Sequence, residues 1–169
     1  MAVLEILTYP DPRLARTAAP VAQFDAALRV LVRDLEETMR VGPAAVGIAA
    51  PQVGRGLRVA LVDVSGRRGV AGHGRLVLVN PEITHWEGVA VGREGCLSVP
   101  DYTGNVIRAE AIRLRAYDEH GEPWELETDG FEARAIQHEI DHLDGLLFLD
   151  RLVSRRSDLF RRRRRGAGG

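Results

Sequence analysis

The amino-acid sequence predicts a single α+β domain in which antiparallel sheets pack around a central HExxH helix, with an N-terminal and a C-terminal helix. Three observations carry that prediction. The chain has 169 residues, the usual size of one domain with its own core. Its two clearest helical patterns lie far apart, one near residue 30 and one near residue 138, with short strand-like segments between them. Most of those segments follow one another directly, which favours antiparallel pairing over parallel strands separated by helices.

The opening stretch is punctuated by Pro10, Pro12 and Pro20 and reads as irregular. Asp25 then caps a helix in which Leu28, Leu31, Val32, Leu35 and Met39 recur at three- and four-residue steps as one apolar stripe. Gly42-Pro43 stops it. Leu57 to Asp63 and Leu76 to Val79 are β-branched strand segments, and Gly66 to Gly74 is a glycine-rich loop between them. Residues 82–92 and 111–118 alternate apolar with polar positions, the strand period. A second helix starts near Phe131 and stops around Gly145, and a last one is expected over Asp150 to Arg165. The domain reading is a catalytic unit over residues 1–150 with a basic helix or tail at 151–169.

Composition narrows the function classes. Apolar residues make up 45% and charged residues 28%, which excludes a disordered chain. No apolar run approaches the ~18 residues that a membrane-spanning helix needs, and residues 1–13 lack the pattern of a secretory leader. Cys96 is the one cysteine, so no internal disulfide can form. The expected state is a cytoplasmic monomer without membrane contact. All 23 basic residues are arginine, and eight of them fall in residues 151–169 against Asp158 alone, a local charge of +7 on a body of −8. Such an end either has an acidic or nucleic-acid partner or is a solvated terminus.

The chemistry concentrates in His138-Glu139-Ile140-Asp141-His142. Residues four apart on a helix stand one above the other, so His138 and His142 present two imidazoles to one point, the start of a divalent metal site. Glu139 lies beside that face as a general base. A catalytic site of this type needs a third protein ligand. Beyond His142 there is no His, Glu or Cys, and Phe148 stands where a third histidine of the extended peptidase motif would be, so the ligand is expected upstream. Cys96, in the small-residue stretch Gly92 to Pro100, leads the candidates over His73, His85 and His120. Val46 to Gly54 is a third small-residue segment, where a substrate backbone can run close and Gln52 offers amide donors to a polarised carbonyl oxygen. The residues by themselves leave three further readings open. They are a peptidase built on the same helix, a Cys–His hydrolase without metal, and a non-catalytic ribosome- or nucleic-acid-binding module with a structural metal.

Taken together, the segments Ala45-Val46-Gly47-Ile48-Ala49-Ala50-Pro51-Gln52, Glu94 to Ser98 and Gln137 to His142 resemble the peptide deformylases. That family carries GxGxAAxQ, EGCLS and QHExxH in this order. The likeness covers most of residues 3–152, with one departure, Ala45 in place of the first glycine. A methyl group there is expected to narrow the groove or to forbid a left-handed backbone.

The resemblance implies removal of the formyl group from the N-terminal formyl-methionine of new polypeptides. It implies one divalent ion on Cys96, His138 and His142, Fe2+ as the native metal, with Zn2+, Ni2+ or Co2+ able to occupy the site. Glu139 is then the proton carrier, and Gln52 with the Leu97 backbone N–H stabilises the developing oxyanion. Gly47 and Ile48 are expected to pair with the substrate backbone as with an added strand. Val46, Phe131 and Ala135 are expected to receive the methionine side chain. For the arginine-rich end, the expected partner is ribosomal RNA or an adjacent ribosomal protein.

Overall fold

The computed structural model describes residues 2–42 and 44–162. Helix α1 spans Ala26–Val41 and is followed by β1 (Gly47–Ala49), β2 (Val59–Val62), β3 (Leu76–Glu87), β4 (Ala90–Cys96), β5 (Val99–Arg108), β6 (Ala111–Tyr117) and β7 (Pro123–Asp129). Helix α2 spans Gly130–Leu143, and β8 spans Leu159–Arg161. The strands form two sheets, β1-β2-β3-β6-β7 and β4-β5-β8, with every strand pair antiparallel.

The five-stranded sheet is covered on both faces, and strand alternation decides which residues meet which helix. Val59, Leu61, Val77 and Val79 pack on the α1 stripe of Leu28, Leu31, Val32, Leu35 and Met39. Ala60, Val62 and Leu78 point the other way and meet Ala133, Ile136, Ile140 and Leu143 of α2. That is why β2 is buried at all four positions. The predicted cap of α1 is present, with Leu28 N–H donating to the Asp25 carboxylate at 3.0 Å. A third apolar group, Cys96, Val99, Val106, Leu147 and Phe148, lies under the smaller sheet. Helix α2 is therefore buried on nearly every side, the central position expected of it.

Two expectations need correction, and two strands went unread. The alternating segment 82–92 is two strands: Gly88, at φ 70°, turns the chain between β3 and β4, which belong to different sheets. A glycine in the left-handed region ends a strand without steric cost. Strands β5 and β7 carry Pro, Gly, Asn and acidic residues that hide the strand signal; β7 pairs with β6 along its whole length, and β5 pairs with β4 at Val99 and over Thr103–Arg108, with a register shift between. The C-terminal helix does not form over the described part of its range. After a 3-10 turn at Phe148–Arg151 and a second turn at 155–157, where Asp158 N–H donates to the Ser154 carbonyl at 2.9 Å, the chain extends as β8 and pairs with Tyr102–Gly104 on the free edge of β5. Residues 152–165 have no apolar stripe at helical spacing, and arginines three and four apart would repel on one helix face. The rest of that predicted helix, Arg163 to Arg165, lies outside the described residues.

The glycine-rich loop is anchored rather than free. Glu132, fully buried at the start of α2, accepts the His73 backbone N–H at 2.6 Å and contacts His73 Nδ1 at 2.5 Å and Thr128 Oγ1 at 2.8 Å. Gly72 admits this contact, because a Cβ there would overlap Val64 and Glu132.

Candidate active site

One turn of α2 places the Nε2 atoms of His138 and His142 3.3 Å apart. The last residue of β4, Cys96, brings its Sγ to 3.3 Å from His142 Nε2. These three buried ligand atoms all lie within 4.8 Å of one another. Two imidazole nitrogens and a sulfur turned on one point are the donor set of a divalent metal, and they fit it. Burial, with the neighbouring His138, lowers the His142 pKa well below the ordinary value.

The ligands are held by a buried charge network. His138 Nδ1 lies 2.8 Å from Glu94 Oε1. Glu94 also accepts two hydrogen bonds from Arg108 at 2.9 Å and one from Arg134 at 2.8 Å. Burial alone would raise the Glu94 carboxyl, but the hydrogen bonds and charges of His138 and Arg108 outweigh it and hold the group well below the usual carboxylate range. Arg108 reaches on to Asp141 at 2.5 Å, and Asp141 takes two more bonds from Arg151 at 3.0 Å. A carboxylate on the far nitrogen fixes the ring orientation and leaves Nε2 for a metal.

Glu139 sits next to His138 with 4% of its surface exposed. Burial pushes its carboxyl up to about 7, the Glu94 charge adding and the His138 and Arg108 charges opposing. Its Oε2 and the Nδ1 of His142 are the buried side-chain polar atoms left without a partner among the described residues. Glu139 packs against Gly47, where an added Cβ would lie 2.7 Å from Oε1.

Gln52 lies on the 3-10 turn Ala50–Val53 directly after β1. Its Oε1 accepts the Ala49 N–H at 2.9 Å, and its Nε2 donates to Ser98 Oγ at 3.0 Å and stands 3.5 Å from Cys96 Sγ. The amide is thus locked beside the metal ligands. A cleft of about 430 Å³ opens over this group, lined by Val46, Gly47, Gln52, Cys96, Leu97, Phe131, Ala135, His138 and Glu139, among others.

Of the predicted site residues, Ile48 alone stands apart. It is fully buried and packs on α1. Val46 C=O accepts the Asp63 N–H at 2.8 Å, so alternation along β1 turns the Ile48 backbone toward its register partner Leu61. The same alternation leaves the Gly47 backbone on the open edge, since β1 borders its sheet. The added-strand expectation therefore narrows from two residues to Gly47. At the motif departure, Ala45 is not left-handed; the positive φ falls on Ala44, at 54°. Sequence reasoning missed Arg108, Arg134, Asp141 and Arg151 as partners of the site. The strand period was a usable signal for Glu94, which shares a β4 face with Cys96.

Comparison with known proteins agrees with this geometry. A family profile described as polypeptide deformylase matches residues 3–158. A peptide deformylase of Alkalilimnicola ehrlichii is 51% identical over 163 residues, covering 96% of this chain and 89% of the relative. One from Syntrophobacter fumaroxidans is 45% identical, covering 96% of this chain and 94% of the relative. Among solved structures, a peptide deformylase from Legionella pneumophila superposes with a TM-score of 0.81 at 42% identity, covering 89% of this chain and 86% of that one. Another, from Synechococcus elongatus in complex with actinonin, gives 0.83 at 37% identity, covering 92% and 81%.

Proposed function

The chain belongs to the peptide deformylase family, and from that premise we propose how its own residues divide the work. The protein is a metal-dependent hydrolase that removes the formyl group from N-terminal formyl-methionine. Cys96, His138 and His142 would hold the metal, and a divalent ion supplies there the Lewis acidity that makes water a nucleophile near neutral pH. The family likeness favours Fe2+, with Zn2+, Ni2+ or Co2+ as substitutes.

Glu139 takes the proton of the attacking water and returns it to the departing amine. A carboxyl lifted toward neutrality by burial suits both transfers. Gln52 and the Leu97 backbone N–H stabilise charge on the formyl oxygen, a role worth about 3–4 kcal/mol per donor. The fixed position of the Gln52 amide supports this assignment, because a donor that need not reorganise contributes most. Gly47 offers its edge to the substrate backbone. Val46, Phe131 and Ala135 receive the methionine side chain, with Arg67 stacked on Phe131 at 4.8 Å. Among the described residues no helix is long and apolar enough to cross a membrane, and the proposed place of work is the cytoplasm, on nascent chains.

The observation that carries this reading is the convergence of Cys96 Sγ and two Nε2 atoms beside an unpartnered Glu139 oxygen. The test is formate release from formyl-Met-Ala-Ser, measured anaerobically with metal analysis. Glu139→Ala should keep the metal and lose about 10²–10⁴-fold in turnover, the range for a general base. Turnover at the parent rate in that variant would refute the role. Cys96→Ser should lose metal on dialysis, and an undiminished metal content would remove Cys96 from the ligand set.

A further inference from the structure

Substrate residues beyond methionine must leave the site along a cleft whose wall is strongly basic. Its charged lining comprises Arg67, Arg93, Arg134 and Arg162 together with Glu94, His138 and Glu139. Glu94 is neutralised by Arg108, Arg134 and His138, and Glu139 lies buried at the floor. Arg134 is engaged by Glu94 and by the carbonyl oxygens of Val106 and Ala90. Among the described residues, Arg67, Arg93 and Arg162 make no ion pair with a carboxylate.

These three cations are nonetheless held in place by neutral groups. Arg93 donates to Asn105 Oδ1 at 3.0 Å and to Thr103 Oγ1 at 3.3 Å, and its guanidinium lies 3.9 Å over the Phe160 ring. Arg162 follows β8, whose pairing with β5 fixes it; its backbone N–H donates to the Asp101 carbonyl at 2.7 Å. Its guanidinium lies against Gly95, where a Cβ would overlap it. Arg93 and Gly95 share the exposed face of β4, so Arg93 and Arg162 stand on one side of the groove. Arg67 rests on Phe131 at the methionine pocket. The positive wall thus runs from the pocket that takes the first side chain to the strand residue before Cys96.

We propose that Arg67, Arg93 and Arg162 form an anion subsite that selects formylated peptides with an acidic side chain in the two or three residues after methionine. The inference rests on the deformylase reading. An extended chain advances about 3.3 Å per residue, so those positions are the ones that pass along this wall. The C-terminal strand then has a catalytic-domain duty, since it delivers one of the three charges.

The shared chemistry is a carboxylate, and it could come from a side chain or from the C-terminus of a short peptide. C-terminally amidated peptides remove the second source. The protein should deformylate formyl-Met-Glu-Glu-amide with a kcat/KM about tenfold above formyl-Met-Ser-Ser-amide and further above formyl-Met-Arg-Arg-amide, the difference residing in KM. Exposed pairs of this kind are weak singly and screened by salt, so the preference should shrink from 50 to 500 mM NaCl. Arg93→Ser combined with Arg162→Ser should bring the Glu-to-Ser ratio most of the way to one, Arg67 keeping the remainder. Arg162→Lys should retain part of it, which separates lost charge from damaged folding. Equal kcat/KM for the three amides in the parent protein, or a ratio unmoved by the double substitution, overturns the proposal. So does a preference seen for free-acid peptides but absent from amides. If no formyl peptide releases formate at all, the deformylase reading fails with it, a result distinct from deformylation without charge preference.

Discussion

A methyl group added at Gly47 would stand 2.7 Å from Oε1 of Glu139 and 2.9 Å from its Cγ and Cδ. Glycine there gives the proton carrier its place as well as leaving an edge for substrate, so Gly47→Ala should cut kcat by tenfold or more while metal content holds. A variant with unchanged kcat would show that Glu139 has room to move. Ala44 presents the opposite case. At φ 54° it bears the steric cost of a left-handed backbone that glycine avoids, about 1 kcal/mol. Ala44→Gly should therefore raise the unfolding midpoint by a few degrees in a thermal melt, and a lower midpoint would contradict the strain. The motif departure at Ala45 carries no such strain, because that residue is not left-handed; its methyl group lines the cleft.

At the scale of elements, α2 supplies His138, Glu139, Asp141 and His142, and β4 and β5 answer with Glu94, Cys96 and Arg108. Arg108 is 5% exposed and neutralises two buried carboxylates at once. Arg108→Ala would leave Glu94 and Asp141 short of a partner, and removing one side of a buried pair costs about 3–5 kcal/mol. Urea denaturation should show a loss of that size, and metal affinity should fall about 10- to 100-fold as His138 loses its orienting support. A variant as stable as the parent would show that Arg134 and Arg151 carry the network alone. What could be read beforehand follows the range of each interaction. The histidine pair is local, four residues apart on one helix, and was legible. Glu94 and Cys96 are two apart on a strand, legible in principle from the period. Arg108 and Asp141 are 33 residues apart, and only the packing of β5 on α2 reveals that they meet. The C-terminal strand was misread for a similar reason: its pairing depends on a distant β5 edge, while its own arginine run carries little local signal.

Over the whole molecule, the charge separation between an acidic body and a basic end now divides into two parts. Arg151 is tied to Asp141, and Arg162 is placed in the cleft wall. The rest of that charge is Arg155, Arg156 and Arg161, all exposed, and Arg163 to Arg165, which lie outside the described residues. Truncation after Val153 would be a poor test of ribosome docking, because it also removes β8 and with it a strand of the smaller sheet. Substituting Arg163, Arg164 and Arg165 together by serine keeps every residue of β8 and isolates the charge of the run. If these arginines bind ribosomal RNA, co-sedimentation with ribosomes should weaken in the triple variant. Its logarithmic salt dependence should also become shallower, by about one unit for each phosphate no longer neutralised. Formate release from a short formyl peptide should stay at the parent level, since the proposed chemistry uses none of the three. Equal pelleting of parent and triple variant across a salt series would assign the run to solvent. A variant that pellets normally but loses its preference for acidic peptides would place these arginines with Arg162 on the substrate path.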